Sequence, residues 1–420
     1  MYALVDCNNF YASCERVFNP SLRNVPICIL SNNDGCVISR SDEAKKLGIP
    51  MGVPAFQVDK LFKNHQVKIF SANFILYGDL SHRVMNIVKR YSSQVEIYSI
   101  DEAFLNLKGL KNINLEEHCL SMRNYIFKGV GIPVSIGIAP TQTLAKAANL
   151  IAKKYSVQTK SVYLMDTPEK IEKALKWLNI EDIWGIGRRL NKRFSTMGIR
   201  KAWDLVNMPD TFIRKEMGII GIRMINELKG IPQLELSPPS KKKTIATTRT
   251  FDIMTEDLAP LKERVTTFAV KCSERLRKQQ SCCNYITVFL HTNFFRGDHT
   301  QYHPSYTITL PNPHNSAIEL SKYAQKALDA IYKKGYLYKK AGVIVSGLIP
   351  EQTRQISLFD EDNYMKHAPL METIDKINKK LHCDKIKLAS QDIKRTWKMK
   401  QNLLSQHYST NINQIIRVKI

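Results

Sequence analysis

Apolar and polar positions alternate strand-like and helix-like spacing through the first 165 residues. "MYALVD" (1–6) is a short apolar strand ending on an acid, and "FYASCERVF" (10–18) has helical spacing closed by Pro20. "VPICIL" and "CVIS" follow as strands, then "SDEAKKLG" (41–48) as a helix with Ser41 as N-cap and Gly48 as its stop. A long amphipathic helix is predicted over "FILYGDLSHRVMNIVKRY" (74–91), then strands "VEIYSI" and "EAFLNL", and a helix over 115–128. "IPVSIGIA" reads as a strand, and "TQTLAKAANLIAKKY" (141–155) as a helix capped by Thr141. Helices that return between strands predict an α+β or split βαβ sheet.

Residues 168–230 read as helical throughout, with glycine pairs in "WGIGRRLNKRF" (184–194) and "MGIIGIRMINELKG" (217–230). "IPQLELSPPSKKK" (231–243) breaks all periodicity and predicts an extended linker. A second α+β pattern begins at 244: strand "TIATTRTF", a helix over 257–278, strands "NYITVFLHT" and "YHPSYTITL", a helix over 315–332, and strand "AGVIVSGLI". That order predicts a four-stranded sheet with two helices. Beyond 350 come "EQTRQISLFDEDN" and a basic C-terminal stretch.

At 420 residues the chain is too long for one core. It has no apolar run long enough to span a membrane, and "MYALVDCNNF" lacks the marks of a signal peptide, so a cytoplasmic protein is expected. Nine cysteines without a C-x-x-C pair fit buried, reduced thiols better than disulfides or zinc. Charge changes the picture most: 62 Lys and Arg against 38 Asp and Glu leave a net +24, which suits a polyanionic partner as well as it suits a solvated basic surface.

Two acids, Asp101 and Glu102, interrupt the β-forming run "YSIDEAFLNL" (98–107). A tight turn with both acids in water is one reading. Asp6 ends another buried-looking strand, where it is also placed to cap the following helix. The other reading is that the three acids converge at strand ends, where they form a hard-oxygen site suited to Mg2+. Two such ions can bridge the attacking and leaving oxygens of phosphoryl transfer.

Five ordered motifs carry a resemblance: "DCNNFYASCE" (6–15), "SNNDGCVISRSDEAKKLGI" (31–49), "YSIDEAFLNL" (98–107), "VSIGIAPTQTLAKAANLIAKK" (134–154) and "GIG" (185–187). Together they resemble the Y-family translesion DNA polymerases, and "SNNDGCV" with the first motif resembles the UmuC branch, that of the catalytic subunit of DNA polymerase V. The resemblance implies a ferredoxin-like palm with small fingers (1–166, fingers roughly 20–75) and a helical helix-hairpin-helix thumb (167–231). A linker (232–243) and a separate four-stranded α+β little finger that binds DNA (244–350) would follow. A clamp-binding segment (351–362) and a partner-binding C-terminal extension (363–420) would complete the chain.

The resemblance also implies roles. Asp6, Asp101 and Glu102, with the Cys7 carbonyl, would hold two Mg2+ ions. Tyr11 would be the steric gate against ribonucleotides; on residues alone it is more readily a core aromatic beside Phe10. Phe10, Ser39, Lys45 and Lys153 would line the nucleotide site, although Lys45 stands where relatives often carry arginine and Asp42 where many carry tyrosine. Val37 and Ile38 would lie over the nascent base pair. Gly185 and Gly187 would open the hairpin that grips a phosphate, with Arg188 beside them. Lys241, Lys242, Lys243 and Arg249 would touch DNA backbone. "QISLF" would bind a sliding clamp through Gln355, Leu358 and Phe359.

The expected function is error-prone, DNA-directed DNA synthesis past damaged template in the SOS response, by two-metal nucleotidyl transfer, with no stretch left for a proofreading exonuclease. Expected partners are primer-template DNA, dNTP, the clamp, a processed UmuD dimer and a RecA filament. The competing readings are a non-catalytic DNA-binding scaffold, a nucleotidyl cyclase on a similar palm, and a DinB-like polymerase working alone.

Overall fold

A computed structural model describes residues 1–420 except 111, 238–239, 358–361, 382–383, 393–398 and 417–420. The chain divides into two compact units, Met1–Pro239 with Gln401–Ile420, and Ser240–Lys400. The division falls inside the aperiodic stretch read as a linker. No helix among the described residues is long and apolar enough to cross a membrane.

In the first unit the chain runs β1 (Tyr2–Cys7), α1 (Phe10–Phe18), β2 (Ile27–Leu30), β3 (Val37–Arg40), α2 (Asp42–Lys46), α3 (Asp59–Asn64), β4 (Lys68–Ser71) and α4 (Phe74–Val88). It continues through β5 (Val95–Ile97), β6 (Glu102–Asn106), α5 (Leu115–Val130), β7 (Val134–Ala139), α6 (Gln142–Lys154) and β8 (Val162–Leu164). Four helices end it: α7 (Pro168–Trp177), α8 (Arg188–Thr196), α9 (Ala202–Val206) and α10 (Asp210–Leu228).

The main sheet has the order β5-β6-β1-β7-β8, with β1 antiparallel to both its neighbours. Both faces of β1 are buried, so it reads as a continuous apolar run up to Asp6. Side chains alternate between two cores: Ala3, Val5 and Cys7 pack with α1, α4 and α5, while Tyr2 and Leu4 pack with α6 and α7–α10. The small β3-β2-β4 sheet splits the same way, Ile27 and Ile29 toward the main core, Cys28 and Leu30 toward a separate small core with Val37 and Phe62.

Helix α6 lies unusually close to β7. A Cβ on Gly137 would meet Asn149 N at 2.2 Å and Ala145 O at 2.3 Å, so only glycine fits. The backbones of Ala145 and Ala148 lie at that contact, and Thr141 caps the helix by accepting from Leu144 N at 3.2 Å. Gly137→Ala is therefore expected to destabilise this unit by about 3 kcal/mol, through forced separation of backbone from backbone, read as a lowered urea midpoint.

Residues 168–230 are not one helical run. A 3-10 turn (Ile180–Asp182) and left-handed Gly185 separate α7 from α8, and Gly218 (φ 68°) breaks α10. The buried Glu227 ties α10 to α6: its carboxylate accepts from Thr143 N at 3.1 Å and from Gln233 N at 2.6 Å.

The second unit comprises β9 (Ile245–Thr255), α11 (Leu258–Lys278), β10 (Ser281–His291), β11 (Ser305–His314), α12 (Ala317–Ile331), β12 (Tyr338–Pro350) and α13 (Tyr364–Lys380). Its sheet has the order β11-β10-β12-β9, all antiparallel, and α11 and α12 share one core with its inner face. Helix α13 adds to α11 through a double Arg277–Asp375 bond at 2.7 Å and the buried Met371.

His314, at the end of β11, accepts from Ser316 N at 3.0 Å through Nδ1, and its Nε2 finds no hydrogen-bond partner among the described residues. Burial first, then Arg354, lowers its pKa to about 4. Because the folded-state value lies below the unfolded one, the neutral ring's contribution is complete above about pH 6.5 and fades as pH falls toward 4. Thermal unfolding of the full chain should show a loss of up to roughly 3 kcal/mol over that window, and His314→Asn should remove it.

Candidate active site

Asp6 is the last acid of β1 and lies directly opposite Glu102, the first residue of β6. Cys7 N donates to Asp101 O at 2.9 Å, which draws the third acid to the same sheet edge. The 98–101 segment is a turn of the β5–β6 hairpin, with Tyr98 N donating to Glu102 O at 3.0 Å. Ser99 Oγ organises it, accepting from Asp101 N and Glu102 N and donating to Asp101 Oδ1 at 2.5 Å. The turn reading and the strand-end reading therefore describe one object. Its acids are not loose in water: Asp6 is buried and the other two are half-buried.

Two of them, Asp6 and Glu102, pair with lysines. Lys153 Nζ lies 2.7 Å from Asp6 Oδ2, and Lys146 Nζ lies 2.9 Å from Glu102 Oε2. Even so, burial pushes the Asp6 carboxyl up to about 7, against the pull of Lys153 and with Glu102 adding to the rise. Burial, then the charges of Asp6 and Asp101, holds the Cys7 thiol well above its ordinary value, so it is no thiolate ligand. Among the described residues no three His, Cys, Asp or Glu side chains are already grouped to hold a metal ion. The donor set nevertheless fits a hard cation: carboxylates gathered at one sheet edge, two of them, Asp6 and Glu102, each paired with an ammonium.

Lys146 was not singled out among the site residues, although it stands seven residues before Lys153 and so shares its helix face. Its ammonium also lies over the Tyr98 ring at 4.5 Å and the Trp184 ring at 5.1 Å. Trp184 Nε1 in turn donates to Tyr98 Oη at 3.3 Å, which ties the start of the glycine hairpin to the acidic turn.

Beside Asp6 lies an open cleft of about 480 Å3, lined by Asp42, Lys45, Lys153, Lys154, Trp177 and Lys201 among others. Lys45 reaches Asn9 Oδ1 at 2.5 Å and Asp42 Oδ1 at 3.0 Å. Tyr11, half-buried on α1, stacks on Tyr77 of α4 with centroids 4.7 Å apart, and Phe74 meets its edge at 5.9 Å. Phe10, its ring centroid 5.7 Å from that of Tyr11, is buried in the core at 3 % exposure. Ser39 is buried on β3, paired with Ile29.

The remaining sites are dispersed. Gly185 takes φ 104°, Gly187 N-caps α8, and Arg188 opens that helix exposed to solvent. Lys241, Lys242 and Lys243 are exposed ahead of β9. Arg249 shares strand parity with Ile245 and Phe251, which pack in the helix-side core, and feels the charge of Arg275 on α11. Gln355 is exposed, and Leu358 and Phe359 lie outside the described residues.

The impB/mucB/samB family matches residues 5–149, its C-terminal domain matches 242–358, and a domain of unknown function matches 368–418. The chain is similar to UmuC of Salmonella typhimurium, 38 % identical with all of both chains covered, and to ImpB of Salmonella typhimurium, 37 % identical over 99 % of each. Its fold is that of a Y-family DNA polymerase chimera of Dbh and Dpo4, with a TM-score of 0.68 at 22 % identity over 83 % of this chain and 99 % of that one. With the acids at one sheet edge and full-length similarity to UmuC and ImpB, the chain belongs to the impB/mucB/samB family of Y-family DNA polymerases, in its UmuC branch.

Proposed function

We propose that this DNA-directed DNA polymerase performs error-prone translesion synthesis in the SOS response. The observation that carries the reading is the juxtaposition of Asp6 and Glu102 with a lysine-lined cleft and the Tyr11 ring. In this reading residues 1–166 are palm and fingers, 167–231 the thumb and 244–350 the little finger.

Asp6, Asp101 and Glu102, with the Cys7 carbonyl, would hold two Mg2+ ions, which when bound supply charge neutralisation for in-line transfer of a nucleotidyl group. Lys153 pairs with Asp6 in the free protein. A triphosphate entering the cleft would offer that ammonium a new anion, so Lys153 and Lys45 would steady the phosphates. Tyr11, braced by its stack on Tyr77, would meet the ribose 2′-hydroxyl of an entering nucleotide and exclude it by bulk. Ile38, half-buried on β3, would be the small apolar neighbour that checks base-pair shape weakly, whereas Val37 is fully buried in the small core.

Primer-template DNA would be gripped without sequence reading. The Gly185–Gly187 turn and Arg188 would serve the thumb, and the exposed Lys241, Lys242 and Lys243 the little finger, while Arg249 lies on the helix side of its sheet. That grip should weaken steeply with salt. Gln355, Leu358 and Phe359 would engage a sliding clamp, and the C-terminal extension a processed UmuD dimer and a RecA filament, all in the cytoplasm.

The test is extension of a primer across an abasic template site, together with a mismatched primer end. Bypass of the lesion without excision of the mismatch supports the reading. Stalling at the lesion in the presence of clamp, UmuD-like dimer and RecA, or trimming of the mismatch, contradicts it.

A further inference from the structure

The segment after Gln401 belongs to the first compact unit, although 161 residues of the second unit, Ser240–Lys400, precede it in the chain. It docks as a strap along the edge of β4. Ser71 N donates to Leu403 O at 3.0 Å, Leu403 N donates back to Ser71 Oγ at 3.0 Å, and Gln401 Nε2 donates to Ala72 O at 3.2 Å. Further on, Tyr408 stacks on Phe18 with centroids 4.9 Å apart, and Ser409 Oγ donates to Asp79 at 2.7 Å. The residues lie in the match to a domain of unknown function.

Ser405 sits at the centre of this strap and touches both helices that carry the stacked ring pair. Its Oγ donates to Glu15 Oε1 at 3.0 Å, on α1, one turn beyond Tyr11. The same oxygen atom of Glu15 accepts from Tyr77 Oη at 2.6 Å, on α4. Asn73, the N-cap of α4, donates through Nδ2 to Ser405 Oγ at 3.1 Å and Ser405 O at 3.2 Å. Glu15 is 2 % exposed and Tyr77 fully buried, so these are dry bonds and the carboxylate has few other ways to be satisfied.

We infer that the C-terminal strap positions the sugar gate: Ser405, through Glu15 and Tyr77, fixes the ring against which Tyr11 stacks, and so sets how strictly ribonucleotides are excluded. Tyr77, Glu15 and Ser405 touch no substrate; they are positioning residues, and the inference rests on Tyr11 being the gate. Loss of one hydrogen bond in the chain frees the Tyr77 ring to shift, and a shift of a few tenths of an ångström in the Tyr11 ring opens room for a hydroxyl.

The experiment measures incorporation efficiency for a dNTP and its matching rNTP by the full-length protein on primer-template, for parent, Tyr11→Ala, Ser405→Ala, Ser405→Thr, Tyr77→Phe and the double variant Tyr11→Ala with Ser405→Ala. The expected result is a rise of about threefold to tenfold in the rNTP-to-dNTP ratio for Ser405→Ala and Tyr77→Phe, the size of one buried hydrogen bond. Ser405→Thr should keep the parent ratio, and Ser405→Ala should add nothing once Tyr11 is Ala. If Tyr11→Ala raises the ratio and neither Ser405→Ala nor Tyr77→Phe does, the strap inference is overturned and the gate stands. If Tyr11→Ala leaves the ratio unchanged, the gate reading itself fails, and the strap inference with it. Should Ser405→Ala not fold, Tyr77→Phe alone decides, since it keeps the ring and the stack.

Discussion

Asp101→Asn is expected to lower single-turnover nucleotide incorporation by on the order of 10³-fold or more, the scale of losing one member of a catalytic set that acts as a unit. The substitution keeps the shape of the side chain. Its oxygen can still accept from Ser99 Oγ, which now bonds Asp101 Oδ1 at 2.5 Å, so the turn that presents Glu102 survives. What disappears is one negative charge at a sheet edge where Asp6 and Glu102 already face each other. Primer-template affinity should stay within about twofold of the parent, because the expected DNA contacts are basic and lie elsewhere. Equal loss of binding and incorporation would instead mean that Asp101 supports the fold.

The second large effect belongs to Tyr11. Tyr11→Ala should raise ribonucleotide incorporation relative to deoxyribonucleotide on the order of 10²-fold, with a much smaller change for the deoxyribonucleotide alone. The asymmetry follows from exclusion: removing the ring creates room only where a 2′-hydroxyl would stand. Tyr77 and Phe74 remain to pack the face of the vacated space, so collapse of α1 onto α4 is resisted. A drop of equal size for both nucleotides would point to a packing role shared with buried Phe10.

Much of this was legible in the sequence because the signals are local. The apolar run before Asp6, the Ser41 and Thr141 caps, and the alternation in "NYITVFLHT" each specify an element within a few residues, and each element is present. Strand β4 and helix α3 escaped because each is short and the small core they share with Val37 supplies the stability that their own pattern lacks. The break at Gly218 escaped because glycine inside a helical pattern is ambiguous until its φ is seen.

The site divides in the same way. Asp6, Asp101 and Glu102 can be read from strand ends as converging, with a solvated turn as the alternative until the motifs are taken together, and Tyr11 is read from its motif. The partner of Glu102 could have been anticipated, since Lys146 and Lys153 stand two helical turns apart on one face. The orientation of Arg249 was also readable from the period-two pattern of Ile245, Thr247 and Phe251. The bond from Ser405 to Glu15 was not, because it joins residues 390 positions apart and neither segment carries a pattern that names the other.

The most direct measurement is single-turnover primer extension by the full-length protein with Mg2+, on an undamaged template, with the clamp, a UmuD-like dimer and a RecA filament supplied, and with primer-template binding measured in the same samples. The account predicts that bound primer grows by the templated nucleotide and that chelation of the metal stops it. Tight binding of primer-template with no extension under those conditions would contradict it, and would make this chain a DNA-binding scaffold on a polymerase fold.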